Sequence, residues 1–106
     1  RFVALNFGYP APEVEAAILE AEARAPRDLA ERLVRLGAAL RRLSDHDLEE
    51  TASTRLLVMA ARLVVSGVPL HAACRAAVVD ALTGDADTAA ALDEVVRAVL
   101  GPIPAR

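Results

Sequence analysis

The residue of this chain best suited to chemistry is Arg55, in the string Ala52-Ser53-Thr54-Arg55. Ser53 or Thr51 can cap a helix start there, because a hydroxyl accepts the orphan backbone N–H bonds of a first turn. Leu56, Ala60, Leu63 and Gly67 then share one stripe with Leu57 and Val64 beside it, which predicts a helix with a broad apolar face. Arg55 falls in its first turn, where the helix macrodipole already carries partial positive charge and an acid is the favoured residue. Two uses remain open. The guanidinium is either an ordinary solvated charge or, together with the helix end, a phosphate holder, since it can give two parallel hydrogen bonds to one anion.

The other reactive residue types are less well placed. Asp45-His46-Asp47, with Glu49 and Glu50, collects metal-ligand types. Three consecutive loop residues seldom converge on one ion, and hard cations want more widely spaced oxygens, so a solvated acidic loop and no metal site are expected. His71 is predicted in the first turn of a helix with no paired carboxylate or nucleophile, and no catalysis is assigned to it. Cys74 falls on an apolar helix face, as a small buried hydrophobe would. As the single cysteine it forms no internal disulfide. The 106 residues contain no G-x-x-x-x-G-K-S/T phosphate loop and no acidic metal-binding strand end. This stretch alone is not expected to hydrolyse ATP.

The elements that must position these residues are mostly helices. Phe2-Val3-Ala4-Leu5-Asn6-Phe7 alternates and is rich in strand formers, so one short strand is expected, and a lone strand implies a missing sheet. Gly8 to Pro12 is turn chemistry, with Pro12 at the first position of a helix running to about Arg24. Glu13 and Glu15 suit its first turn, and Val14, Ala17, Ile18 and Ala21 are its expected apolar face. Pro26 interrupts, and Asp28 or a neighbour starts a second helix carrying Leu29, Leu33, Leu36, Leu40 and Leu43 at three-four spacing. A polar loop over 44–50 precedes the Arg55 helix. Gly67, Val68 and Pro69 end that helix and open one reaching Leu82, with Leu70, Ala73, Cys74, Ala77, Val78 and Ala81 inward. Asp85 or Asp87 caps a last helix, stopped by Gly101 and Pro102. The expected fold class is mainly α: about five helices preceded by one strand.

Composition sets outer bounds. A chain of 106 residues makes one small domain, able to bury about 65% of its unfolded surface. Alanine dominates, which favours close helix packing. All twelve basic residues are Arg. A net charge of −3 argues against a nucleic-acid surface, which needs a dense cationic patch. The longest stretch without Asp, Glu, Lys or Arg, 63–74, is too short to span a bilayer. No secretory leader is visible, and with one cysteine a cytoplasmic location is expected. Because the chain starts at Arg1 rather than Met, a piece of something longer is expected.

Taken together, several strings resemble the CbbQ/NirQ/NorQ subfamily of MoxR-type AAA+ ATPases. They are Arg1-Phe2-Val3-Ala4-Leu5, Phe7, Tyr9-Pro10, Arg41-Arg42-Leu43, His46-Asp47-Leu48-Glu49-Glu50, Ser53-Thr54-Arg55-Leu56-Leu57-Val58 and Ala73-Cys74-Arg75-Ala76-Ala77, in family order. Thr51 stands where the family usually has Gly, and Gly8 where it usually has Asp. The resemblance implies that residues 1–10 are the last strand and hinge of a nucleotide-binding core and that 11–106 form the helical lid. It implies that Arg55 is the sensor-2 residue contacting an ATP phosphate. Arg1 resembles an arginine finger reaching a neighbouring subunit's nucleotide, the alternative being an ordinary terminal Arg. The parent protein would be a ring-forming, hexameric chaperone using ATP with Mg. Its partners would be a von Willebrand-type protein and a client such as Rubisco or nitric oxide reductase. The rival reading is a non-catalytic helical adaptor binding other proteins through the leucine stripe of the second helix.

Overall fold

The computed structural model describes residues 10–42 and 52–101. The expected strand, the Arg1 site, the hinge residue Tyr9 and the acidic loop lie outside them. Five helices make up the described residues. They are α1 (Pro12–Ala23), α2 (Arg27–Arg41), α3 (Thr54–Val65), α4 over 70–82 and α5 (Ala86–Leu100). The fold is mainly α, as expected.

α2 is the hub, because the leucine spacing gives it one continuous apolar stripe. Leu33, Leu36 and Leu40 are fully buried and Leu29 nearly so, each stabilising by about 1.5–3 kcal/mol relative to exposure. The stripe is consumed by packing on α1, α3 and α5. At Gly37, α2 comes so close to α3 that an added Cβ would sit 2.8 Å from a methyl of Leu57. α2 starts at Arg27, the neighbour of Asp28, with Pro26 flanking it and Asp28 in the first turn.

α1 turns a different face inward from the expected one. Val14 is 52% exposed, Ala17 and Ala21 are exposed and Ile18 is only partly covered. Glu15, Ala16, Leu19 and Ala23 are the buried residues. Apolar residues lie all round this helix, so periodicity did not single out a face. The choice was made by a partner for Glu15 on α2. Arg24 ends α1 in the left-handed region, at φ 58°.

Ser53 caps α3, its hydroxyl accepting from the Leu56 N–H at 3.3 Å. Gly67, at φ 117°, and Pro69 separate α3 from α4. α4 is one helix with a π-helical turn in the middle: Leu70–Cys74, then the π turn Arg75–Val79, then Asp80–Leu82. A π turn inserts one residue into the helical register. Ala73, Cys74, Ala77 and Val78 face inward as expected, but beyond them Val79 and Leu82 are buried, whereas Ala81 is only partly so. Asp85 caps α5. Its carboxylate accepts from the Thr88 N–H and hydroxyl, both at 2.8 Å, and the backbone bond above all holds the Asp85 carboxyl below its usual range. Gly101, at φ 91°, closes α5.

Candidate functional site

Arg55 occupies the second position of α3, one residue past Thr54, and is exposed. No acid lies in the first turn of α3, so the backbone N–H groups of Thr54 and Arg55, which have no intrahelical acceptor, face a positive end. Among the described residues Arg55 has no hydrogen-bonding or ion-pair partner. Arg24, Arg35 and Arg42 share that lack, so it is the helix end that distinguishes Arg55. Met59 and Arg62 continue its face at the fourth and seventh positions along, and both are exposed. Arg62 donates to the Glu22 carbonyl of α1 at 3.4 Å from both Nε and Nη2, which ties α3 to the end of α1.

The residue before Arg55, Thr54, belongs to a buried polar network. Glu15 is 1% exposed. Its carboxylate accepts from Arg41 Nη1 at 3.0 Å and Nη2 at 2.6 Å in a two-pronged ion pair. Glu15 Oε2 also accepts from the Thr54 hydroxyl at 2.7 Å. Arg41 Nε donates to the carbonyl of Ala52 at 2.7 Å. Taking such charges out of water is costly unless they are paired and hydrogen-bonded, and here they are. Because Glu15 and Arg41 pair with each other, the exposed charge that the described residues place in the first turn of α3 is that of Arg55.

Sequence reasoning read Glu15 as a first-turn acid answering a dipole and did not find the network. A signal was present: Arg41 stands four residues beyond Gly37 on the buried side of α2, where an arginine needs an acid.

The remaining candidates take structural places. His71 Nε2 lies 2.8 Å from the Gly101 carbonyl. A carbonyl only accepts, so this nitrogen carries the hydrogen and joins α4 to the end of α5. Cys74 is buried, and burial pushes its thiol up to about 12. Among the described residues no three His, Cys, Asp or Glu side chains are grouped to hold a metal. The Asp45-His46-Asp47 string is not among those residues. A cleft of about 580 Å³ runs along α4 and α5, lined by Arg32, Leu70, Arg75, Asp93 and Leu100 among others, away from Arg55. Its cations are already engaged: Arg75 pairs with Asp80 and Asp93, and Arg32 donates to the Leu100 carbonyl at 2.7 Å. No described helix is long and apolar enough to cross a membrane.

The family model for the CbbQ/NirQ/NorQ C-terminal region matches residues 15–99, from the buried Glu15 to the last turn of α5. This chain belongs to the CbbQ/NirQ/NorQ family. It is 55% identical over 96 residues to the denitrification regulatory protein NirQ of Pseudomonas aeruginosa, an alignment covering 91% of this chain and 37% of that protein. The protein NorQ of Paracoccus denitrificans is 42% identical over 101 residues, which is 95% of this chain and 37% of NorQ. The protein CbbQ of Hydrogenophilus thermoluteolus is 41% identical over 92 residues, 87% of this chain and 34% of CbbQ. The chain therefore spans little more than a third of the length of the curated relatives it matches. Within the family's C-terminal region, the network and the Arg55 helix form one continuous assembly of α1, α2 and α3.

Proposed function

We propose that this chain is the helical lid of an ATP-dependent AAA+ activator of the CbbQ/NorQ type, with Arg55 as the residue that contacts the nucleotide's γ-phosphate. The observation that carries the reading is the place of Arg55: exposed, in the first turn of a capped helix that has no first-turn acid. A cation there costs the isolated lid about a few tenths of a kcal/mol, and an anion reverses the sign. A guanidinium, two backbone N–H groups and the dipole together suit a phosphate oxygen better than any other ligand class. The 106 residues carry no phosphate loop. Most of the contacts to ATP and its Mg would come from the remainder of the complete protein, with the lid closing over the γ-phosphate. Contact in one nucleotide state and not in another would bias the angle between lid and core, and that differential is what drives a hinge.

The wider role we propose rests on the family resemblance. The complete protein would form a homo-oligomeric ring, a hexamer, and remodel a client metabolic enzyme together with a von Willebrand-type partner, in the cytoplasm. Arg1, outside the described residues, would reach the neighbouring subunit's nucleotide as an arginine finger. The adaptor reading is less well supported, because Leu33, Leu36 and Leu40, its docking stripe, are fully buried inside the bundle.

Substitution of Arg55 in the complete protein is the test. Arg55→Ala should leave stability within about 0.5 kcal/mol, as an exposed residue allows. It should lower ATP hydrolysis on the order of 10²-fold, the usual loss for one charge-stabilising donor. Arg55→Lys should recover little, because an ammonium lacks the paired fork. Arg62→Ala, on the same exposed face, is the control and should leave turnover near wild type. Wild-type hydrolysis by Arg55→Ala in the assembled protein would return Arg55 to an ordinary surface charge.

A further inference from the structure

We infer that Glu15, Arg41 and Thr54 are positioning residues for nucleotide sensing, aiming Arg55 by locking the start of α3; this rests on the reading of Arg55 as the γ-phosphate contact. Residues 52, 53 and 54 are each tied by a hydrogen bond that involves a side chain. The Ala52 carbonyl accepts from Arg41 Nε at 2.7 Å, the Ser53 hydroxyl accepts from the Leu56 N–H at 3.3 Å, and the Thr54 hydroxyl donates to Glu15 Oε2 at 2.7 Å. The next residue is Arg55. No other helix start among the described residues is held this way. α1, α2 and α4 begin without a side-chain cap, and at α5 the Asp85 carboxylate and the Thr83 hydroxyl serve only backbone and side-chain groups within five residues of them, with no tie to another helix.

The choice of groups points the same way. An apolar trio would hold three helices together at least as well as a buried ion pair, whose desolvation largely offsets its attraction. What a two-pronged arginine–carboxylate pair adds is geometry: fixed directions and a fixed register. Arg41 stands in the last turn of α2 and Ala52 just before α3, so one guanidinium ties the end of α2 to the start of α3. Glu15 ties the same point to α1. A displacement of α1 or α2 relative to α3 is thereby transmitted to the backbone next to Arg55. Misplacing a contacting group by about 1 Å can cost on the order of 10²-fold in rate.

Glu15→Gln takes the charge out of the buried Glu15–Arg41 pair and is expected to impair folding, so Thr54 is the residue to change. Thr54→Val keeps the shape, leaves the Glu15–Arg41 pair and the Arg41–Ala52 bond intact, and removes only the hydroxyl's bond to Glu15. In the complete protein, the equilibrium Kd for ATP and for ADP and the kcat for ATP should be measured for Thr54→Val, Arg55→Ala and the double variant. Thr54→Val should weaken ATP binding by about 10-fold while ADP changes less than about 2-fold, since only ATP presents a γ-phosphate. Thr54→Ser, which keeps the hydroxyl, should restore the wild-type values. In the Arg55→Ala background, Thr54→Val should change ATP binding less than about 2-fold, because a residue acting through Arg55 has nothing left to position. Equal loss of ATP and ADP affinity, or the same loss in both backgrounds, would make Thr54 merely structural and overturn the inference while leaving Arg55 as the contact. Wild-type ATP binding by Thr54→Val would do the same. Wild-type ATP binding and turnover by Arg55→Ala would overturn both readings together.

Discussion

At the scale of single residues, Cys74 shows how position rewrites an ordinary side chain. On the surface a thiol is a moderate nucleophile through its thiolate, and burial disfavours that charged form. With no exposure and a pKa pushed up to about 12, Cys74 carries very little thiolate at pH 8. The folded protein should therefore resist a disulfide-exchange reagent at pH 8 over hours and react within minutes once denatured. The rate of thiol release, followed by absorbance, checks this, and prompt labelling under native conditions would contradict the burial of α4. Glu15 shows the opposite case. A carboxylate at 1% exposure keeps company with two guanidinium nitrogens and a hydroxyl, so the cost of its burial is met by specific partners rather than by apolar packing.

Among the elements, α2 and α3 are held at a separation that a single methyl group would disturb. Gly37 lies mid-helix, where alanine would gain about 1 kcal/mol of helix propensity. Its added Cβ would approach Leu57 to 2.8 Å, and Leu57 is fully buried, with little room to move. Overpacking of this kind typically costs about 1–3 kcal/mol, which outweighs the gain. Gly37→Ala should lower stability by about 1 kcal/mol, or Tm by about 4–8 °C for a domain of this size. Thermal unfolding followed by circular dichroism checks it; an unchanged or raised Tm would show that Leu57 can yield. The π turn in α4 is the other element-level feature. By inserting a residue it brings Val79 and Leu82 into the core, which an unbroken α-helix would have given to Ala81.

For the whole molecule, the lid reading makes a prediction about what this stretch does by itself. Phosphate grip in nucleotide-binding proteins comes chiefly from a cradle of consecutive backbone N–H groups, and these 106 residues contain no such loop. One arginine and one helix end supply too few contacts to hold ATP or to polarise its γ-phosphate. The purified 106-residue chain should therefore release no phosphate from ATP above the buffer rate. Clear turnover that persists through a second purification step would refute the lid assignment as a whole.

The sequence by itself determined whatever is decided within about one helical turn. The leucine spacing of α2 marked its buried stripe, Ser53 or Thr51 and Asp85 or Asp87 marked two helix starts, of which Ser53 and Asp85 are the caps, and Gly67 and Gly101 marked two ends. These signals act between a residue and its neighbours three or four positions away, so they are legible in one dimension. The run of family strings added the membership, which the match over 15–99 shows. What only the tertiary structure decided lies at longer separations. The inward face of α1, the burial of Glu15 and the pinning of α3 all depend on partners 26 and 39 positions apart in the chain. No local propensity marks Glu15 as buried, because exposed acids are the rule in a first helical turn. It became an interior residue when packing of α1 and α2 brought the Arg41 guanidinium to it, and that meeting set the backbone on which Arg55 stands.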